Sequence, residues 1–319
     1  MTEPVQRIAD QAGERLDRFL SRALEEPRNQ VQRWIRDGLV TVDGQPAAKV
    51  SQALEVGQKV DCTPPEPTEE RIEPEEGALE VLYEDSWLVV LNKPAGLVVH
   101  PGAGQTTGTL AHRLLARYPE MAGVGGPGRP GIVHRLDQGT TGVMVVARTA
   151  AAYRALSQAF AERQVDKTYL ALVYGKPAEG SGRIETALGR HPQRRKEMTV
   201  RPGGRPALTD YRTLAAANGV ALLEVDLGTG RTHQIRVHLK SIGHPLVGDP
   251  TYGERRWKGI TGRARAALRT FPRPALHAWK LGLAHPEDGS PRHWEAPVPE
   301  DLLQLWEKVS EEPWPTGEK

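Results

Sequence analysis

Gly131-Ile132-Val133-His134-Arg135-Leu136-Asp137-Gln138-Gly139-Thr140-Thr141-Gly142 runs directly into Val143-Met144-Val145-Val146-Ala147. The second stretch is short, continuously apolar and rich in β-branched residues, which predicts a buried strand. The first has glycine at both ends, which predicts a tight loop feeding that strand. Asp137 is thereby poised at the edge of a sheet. Spacing alone leaves its role open between a carboxylate that caps a turn and one that reacts.

Working outward, Leu79 to Tyr83 and Trp87 to Leu91 are separated by Glu84-Asp85-Ser86 and predict a β-hairpin. Tyr153, Leu156 and Phe160 have helical spacing within Ala150 to Arg163, and Tyr169 to Tyr174 reads as a second buried strand. Val220 to Leu227 and Ile235 to Leu239 predict further extended or short helical segments. Strands predominate and helices fall between them irregularly, so the fold class is α+β rather than a regular βαβ series. Upstream, Leu16, Phe19 and Leu20 share one helical face, and Val31, Trp34 and Ile35 share another that Gly38 would end. Leu39 to Val42 follows as a strand with a turn at Asp43-Gly44. Between the two parts lies a segment rich in Pro and Glu, unable to bury much surface. The expected division is a small domain at 1–62, a linker at 63–78 and a large domain at 79–319.

The 319 residues carry 42 Lys+Arg against 40 Asp+Glu, but the balance hides segregation. Arg183 to Arg205 holds seven basic residues against Glu185 and Glu197, and Arg255 to Arg273 holds seven with no acid. Such patches suit a polyanion or simply a solvated surface. The single cysteine, Cys62, allows neither a disulfide within the chain nor a cysteine metal site. The polar start is no signal peptide, and the most apolar run, Trp87 to Val99, is interrupted by Asn92-Lys93-Pro94. A cytoplasmic protein with no membrane contact is expected.

Two more motifs bear on chemistry. Gly228-Thr229-Gly230-Arg231-Thr232-His233-Gln234-Ile235-Arg236-Val237-His238 crowds polar side chains into one stretch. At helical spacing His233 and Arg236 share one face. Two histidines invite a zinc reading and hence a metal-dependent hydrolase, but no third ligand is evident, and phosphate or carboxylate contacts from Arg231 fit better. Lys167-Thr168-Tyr169 opens the predicted strand, where Tyr169 reads as an ordinary strand aromatic.

Taken together, these segments resemble the RluA-type pseudouridine synthases. His134-Arg135-Leu136-Asp137 with Thr140-Thr141-Gly142, Lys167-x-Tyr169, and Arg231 to His238 match the family's motifs in order. Leu91 to Pro94, Leu97 to Gly102, and His244 to Gly253 match flanking blocks. Thr141 stands where many members have Ser. The first module resembles an S4 RNA-binding domain through Arg15-Leu16-Asp17, Val31 to Ile35 and Gly38 to Gly44, which places the chain nearest the branch acting on large-subunit (23S) ribosomal RNA, synthase D. The resemblance implies a mixed, largely antiparallel central sheet, isomerisation of uridine to pseudouridine after base flipping, and no cofactor or metal. The implied target is the 23S stem-loop at the subunit interface, modified by a monomer in an assembly intermediate. It makes Asp137 the catalytic carboxylate, as nucleophile or as base, and Arg231 its cationic partner. Tyr169 is the residue that stacks on the target base, with a further role as proton acceptor. Arg135 fills the vacated stack or contacts phosphate. His134 is structural. RNA contacts are expected from Arg28, Arg33, Arg36 and Lys167. The competing reading is a non-catalytic RNA-binding assembly factor that keeps the fold.

Overall fold

The computed structural model describes residues 4–26, 28–64, 72–102, 104–126, 128–254 and 256–315. The chain divides into two compact units, 1–71 and 72–319. In the first, β1 (Val5–Ile8), α1 (Leu16–Ala23), α2 (Arg28–Arg36), β2 (Val40–Val42), β3 (Gln45–Pro46) and β4 (Lys59–Cys62) follow in order, and the sheet runs β1-β4-β2-β3. The predicted helix–helix–strand order is present. Leu16, Phe19 and Leu20 of α1 pack with Val31, Trp34 and Ile35 of α2 in one buried cluster.

The arginines of this unit differ from one another. Asp17 is fully buried and accepts from Arg15, Arg28 and Gln32. Burial opposes its charge, but those hydrogen bonds prevail and hold the carboxyl below its ordinary value. Arg28, expected to face RNA, is thus tied to Asp17 at 2.8 Å. Arg33 sits 3.8 Å from Asp37, and Arg36 is exposed with no side-chain partner among the described residues.

The second unit contains β5 (Glu80–Glu84), β6 (Leu88–Lys93), α3 (Leu110–Arg117), β7 (Thr141–Ala147), α4 (Ala150–Ala161), β8 (Asp166–Tyr174), β9 (Ser181–Arg190), β10 (Met198–Val200), β11 (Arg205–Ala217), β12 (Val220–Leu227), α5 (Gln234–Ser241), α6 (Gly262–Thr270), β13 (Leu276–Ala284), β14 (Pro291–Glu295) and α7 (Glu300–Ser310). One mixed sheet runs β10-β9-β11-β12-β8-β13-β7-β6-β5, with β14 on the far half of β13. Among the described residues, every strand pairing in this sheet is antiparallel except that of β13 with β7. The predicted hairpin, both buried strands and the α4 helix are present, and Ile235 to Leu239 lies in helix α5.

Alternation along β8 gives the sheet two apolar faces. Tyr169, Ala171 and Val173 join the cluster containing Ile235 and Leu239 of α5 and Leu156 of α4. Leu170, Leu172 and Tyr174 join the cluster containing Ala264, Leu268, Leu302 and Trp306 of α6 and α7. The basic stretch Arg255 to Arg273, read as an RNA-facing insert or a surface loop, is therefore largely a packed helix; Arg255 lies outside the described residues. Arg273 is buried, bonds Asp301 at 2.7 Å and donates to the carbonyl of Gly139.

Part of the expected linker also belongs to the second unit. Residues 65–71 lie outside the described residues. Beyond them, the Glu75 amide donates to the carbonyl of His112 on α3, and Glu75 Oε2 accepts from the amide of Gly108. The Glu75 carboxylate lies 3.5 Å from His112. This second anchored stretch has backbone partners where composition alone suggested a free tether.

Candidate active site

A row of strand partners explains how distant motifs meet. Gly142 pairs with Ala278, Ala278 with Tyr169, and Tyr169 with Val225. The loop that ends at Gly142 is thus carried to within two strands of Tyr169. Gly142 has φ +117°, and a Cβ there would come within 2.1 Å of the Ala278 carbonyl oxygen. No other residue allows the approach. The hydroxyl of Thr141 lies 2.9 Å from His277 Nδ1. His277 Nε2 faces the carbonyl of Ala296 at 3.2 Å, so that nitrogen carries the hydrogen and Nδ1 accepts from Thr141. A serine hydroxyl could make the same bond.

From this loop Asp137 enters a pocket of about 510 Å³ lined by Arg135, Tyr169, Arg231, His233 and Arg236, among others. Arg236 Nη1 donates to Asp137 Oδ2 at 2.9 Å. The rest of the same guanidinium makes two bonds to Asp249, at 2.7 and 2.9 Å. Asp249 Oδ1 in turn accepts the amides of Thr251 and Tyr252, and the Tyr252 ring lies beneath the guanidinium, 5.0 Å from ring centroid to Cζ. The block His244 to Gly253 is thus a cradle for Arg236. Arg236 is 6% exposed and is held above its ordinary pKa: burial opposes the charge, but the two carboxylates more than offset it.

The expected pairing of Asp137 with Arg231 is therefore corrected to Arg236. The cause is local backbone. His233 adopts φ +56°, a left-handed turn that starts α5 and sets Arg236 in its first turn against the carboxylate. Arg231 stays in the preceding loop, where its Nε donates to the carbonyl of Pro206 at 3.2 Å. That loop is pinned by Gln234. Its side-chain oxygen accepts from the Arg231 amide and the Thr229 hydroxyl, and its side-chain nitrogen donates to Leu208 O.

His233, weighed from sequence only as a zinc ligand, instead faces the carboxylate. Its Nε2 lies 3.9 Å from Asp137 Oδ1, and its Nδ1 lies 2.8 Å from the Tyr252 hydroxyl. That hydroxyl already accepts from the Met198 amide, which leaves its own hydrogen for Nδ1. The tautomer with hydrogen on Nε2, facing Asp137, follows. Burial holds the ring below its ordinary pKa, partly opposed by Asp137. His238, the other candidate zinc ligand, has both ring nitrogens on hydroxyls, of Thr209 at 2.9 Å and Thr186 at 3.0 Å.

Tyr169 is 8% exposed, and burial followed by the charge of Asp137 raises its phenol above the ordinary value. The phenol is therefore protonated, a form less suited to accepting a proton. Lys93 is buried and places its ammonium against the carbonyls of Pro94, Leu97 and Gln138, tying the first block to the catalytic loop. Burial lowers it to about 8, opposed by Asp137. His134 Nε2 accepts from the Val145 amide and its ring stacks on Phe160 at 4.5 Å, a structural placement. Arg135 is exposed at the pocket and Lys167 lines it, 5.9 Å above the Phe160 ring.

The family profile described as RNA pseudouridylate synthase matches residues 87–241, and that of the S4 domain matches 14–60. Ribosomal large subunit pseudouridine synthase D of Escherichia coli strain K12 is 42% identical over 301 residues, covering 93% of this chain and 91% of its own. An uncharacterised RNA pseudouridine synthase of Chloroflexus aurantiacus is 47% identical over 293 residues, 92% of this chain and 89% of its own. Human RNA Pseudouridylate Synthase Domain Containing 1 superposes with a TM-score of 0.58 at 28% identity, over 77% of this chain and 94% of that one. With its synthase and S4 matches and a relative 42% identical over 93% of its length, the chain belongs to the RluA-type RNA pseudouridine synthases.

Proposed function

We propose that this enzyme isomerises uridine to pseudouridine in large-subunit ribosomal RNA, with Asp137 as the reacting carboxylate. The observation that carries the reading is the Asp137–Arg236 contact of 2.9 Å inside a pocket walled by the Tyr169 ring. The reaction breaks the bond from C1′ to N1, turns the uracil, joins C1′ to C5, releases the C5 proton and leaves N1 carrying one, so that atoms balance as in any isomerisation. Electrons balance without an oxidant or reductant. One oxygen of Asp137, Oδ2, is held by Arg236; Oδ1 has only the longer approach of His233 and is the one left to act at the sugar or the base.

A uridine in a stem reaches such a pocket only when flipped out, at a cost of a few kcal/mol. Tyr169 supplies a stacking face for the extruded base, and Arg135, exposed next to Asp137, takes up the space it leaves. The N-terminal unit adds structured-RNA contacts through Arg33 and Arg36. The target is the 23S stem-loop at the subunit interface, bound by one copy of the chain during assembly. The relatives named for synthase D support the choice of RNA. A purely RNA-binding assembly factor would have no use for Asp137, Arg236 and Tyr169 gathered in one pocket.

The test is Asp137→Asn in cells whose own copy is deleted. Carbodiimide-dependent primer extension on 23S RNA should show the modification absent, while the purified variant binds the RNA as the parent does. Undiminished pseudouridine would refute the assignment.

A further inference from the structure

With Arg236 on Asp137, Arg231 needs another explanation. It is half-buried at the same pocket as two further guanidinium groups that come from separate parts of the chain. Arg163 follows α4 in a left-handed turn at φ +63°, and Arg205 is the first residue of β11. Arg163 and Arg205 make no side-chain hydrogen bond or ion pair among the described residues, and Arg231 uses only Nε, leaving both terminal nitrogens open to the pocket.

The three charges act on one another. Burial, then Arg205, then Arg163 pull Arg231 below its ordinary range. Among the described residues, the only carboxylate lining the pocket is Asp137, already bonded to Arg236. Several other arginines of this unit do have a carboxylate partner: Arg148 with Glu120, Arg183 with Asp210, Arg212 with Glu224, Arg273 with Asp301. Like charges converging without a counter-anion destabilise an empty site, and an anionic ligand reverses the sign.

We infer that Arg163, Arg205 and Arg231 form a phosphodiester subsite of the pocket, which holds a backbone phosphate of the RNA strand presenting the target uridine. The inference rests on the proposed reaction for the identity of the strand. Guanidinium forks match phosphate oxygens in pairs, and three of them fix the register of the strand relative to Asp137. Arg231 is then a binding group rather than the partner of the carboxylate.

The experiment uses the full-length protein and transcribed, unmodified 23S RNA. Arg163→Ala, Arg205→Ala and Arg231→Ala should each raise KM about tenfold, the loss of a charge-assisted bond, with kcat at saturating RNA within about twofold of the parent. The slope of log Kd against log[KCl] should flatten by about one for each arginine removed. Lysine at the same positions should restore most of the slope. Arg183→Ala, which removes a paired surface charge, should leave the slope unchanged. Unaltered slopes in the three variants, or an equal change in Arg183→Ala, would overturn the subsite. Binding titrations repeated on the Asp137→Asn background need no turnover. A lack of pseudouridine in the parent assay would therefore strike the proposed reaction, while the slopes would still decide the subsite.

Discussion

Lysine at position 236 would keep the charge and lose the fork. Arg236 reaches Asp137 and both oxygens of Asp249 at once, which an ammonium on a flexible stem cannot do. Arg236→Lys should therefore lower single-turnover pseudouridine formation by about 100-fold, the scale of losing one preorganised electrostatic contact. A variant with near-normal turnover would sink the role given to the fork. Gly142 makes a second residue-scale prediction. A Cβ within 2.1 Å of Ala278 O at positive φ should cost about 3 kcal/mol or more in Gly142→Ala, read as a lowered urea midpoint at unchanged slope. Gly243→Ala is the control: its φ is +85° with nothing near its Cβ, so only the backbone cost of about 1–2 kcal/mol applies. Equal losses in both would rule out the steric account. At this scale sequence reading was uneven. The loop feeding a recognisable buried strand placed Asp137 at a sheet edge, but only the resemblance of His134-Arg135-Leu136-Asp137 to a family motif singled it out as the reacting group. Arg236 and Arg231 lie five positions apart in one motif, and only the left-handed backbone at His233 decides which meets the carboxylate. Nothing in the letters His-Gln-Ile-Arg announces that φ. Tyr252 and Asp249 were hidden for another reason: their work is done on a side chain from a different element.

Helix α1 and helix α2 are joined by one carboxylate. Asp17→Asn should leave Arg15 and Arg28 without their anion and lower the stability of the N-terminal unit by about 2 kcal/mol, the value of hydrogen bonds to charged groups. Arg36→Ala should leave that stability alone and instead flatten the salt dependence of RNA binding by about one. Thermal melts and binding titrations on the same two variants separate the effects; a stability loss in Arg36→Ala with no change in binding would contradict the division. Elements were legible where apolar periodicity was unbroken, as in α1, α2, α4, β7, β8 and β12. They were missed where strands run with one half-exposed face, as β9 and β11 do, since mixed burial blurs the alternation. The α6 helix was obscured by its arginines: Ala264 and Leu268 alone hold its buried side, too few apolar positions to stand out from a basic stretch.

At the scale of the whole catalytic unit, two neutral histidines hold the two arms of the site. His277 fixes Thr141 at the end of the Asp137 loop, and His238 fixes α5, which carries Arg236, to Thr209 and Thr186. Both rings are fully buried, and burial holds each at about 4. An unfolded chain takes up these protons near pH 6.5. Between about pH 6.5 and 4 the unfolded state therefore binds more protons than the folded one, so stability rises with pH in that window. The contribution is complete above the unfolded value and is lost progressively as the solution is acidified towards 4. The buried carboxylates Asp17 and Asp249 are held below their ordinary values, so their contribution fades lower on the scale and leaves the histidine window distinct. Urea denaturation of the protein should accordingly give a midpoint that falls between pH 7 and pH 5, with proton uptake on unfolding that reaches nearly two from this pair. A midpoint flat across that range would show that both rings are already charged in the folded state. That charge would set an imidazolium against the donor hydroxyl of Thr141 and of Thr209, and the geometry of the site would have to be drawn again.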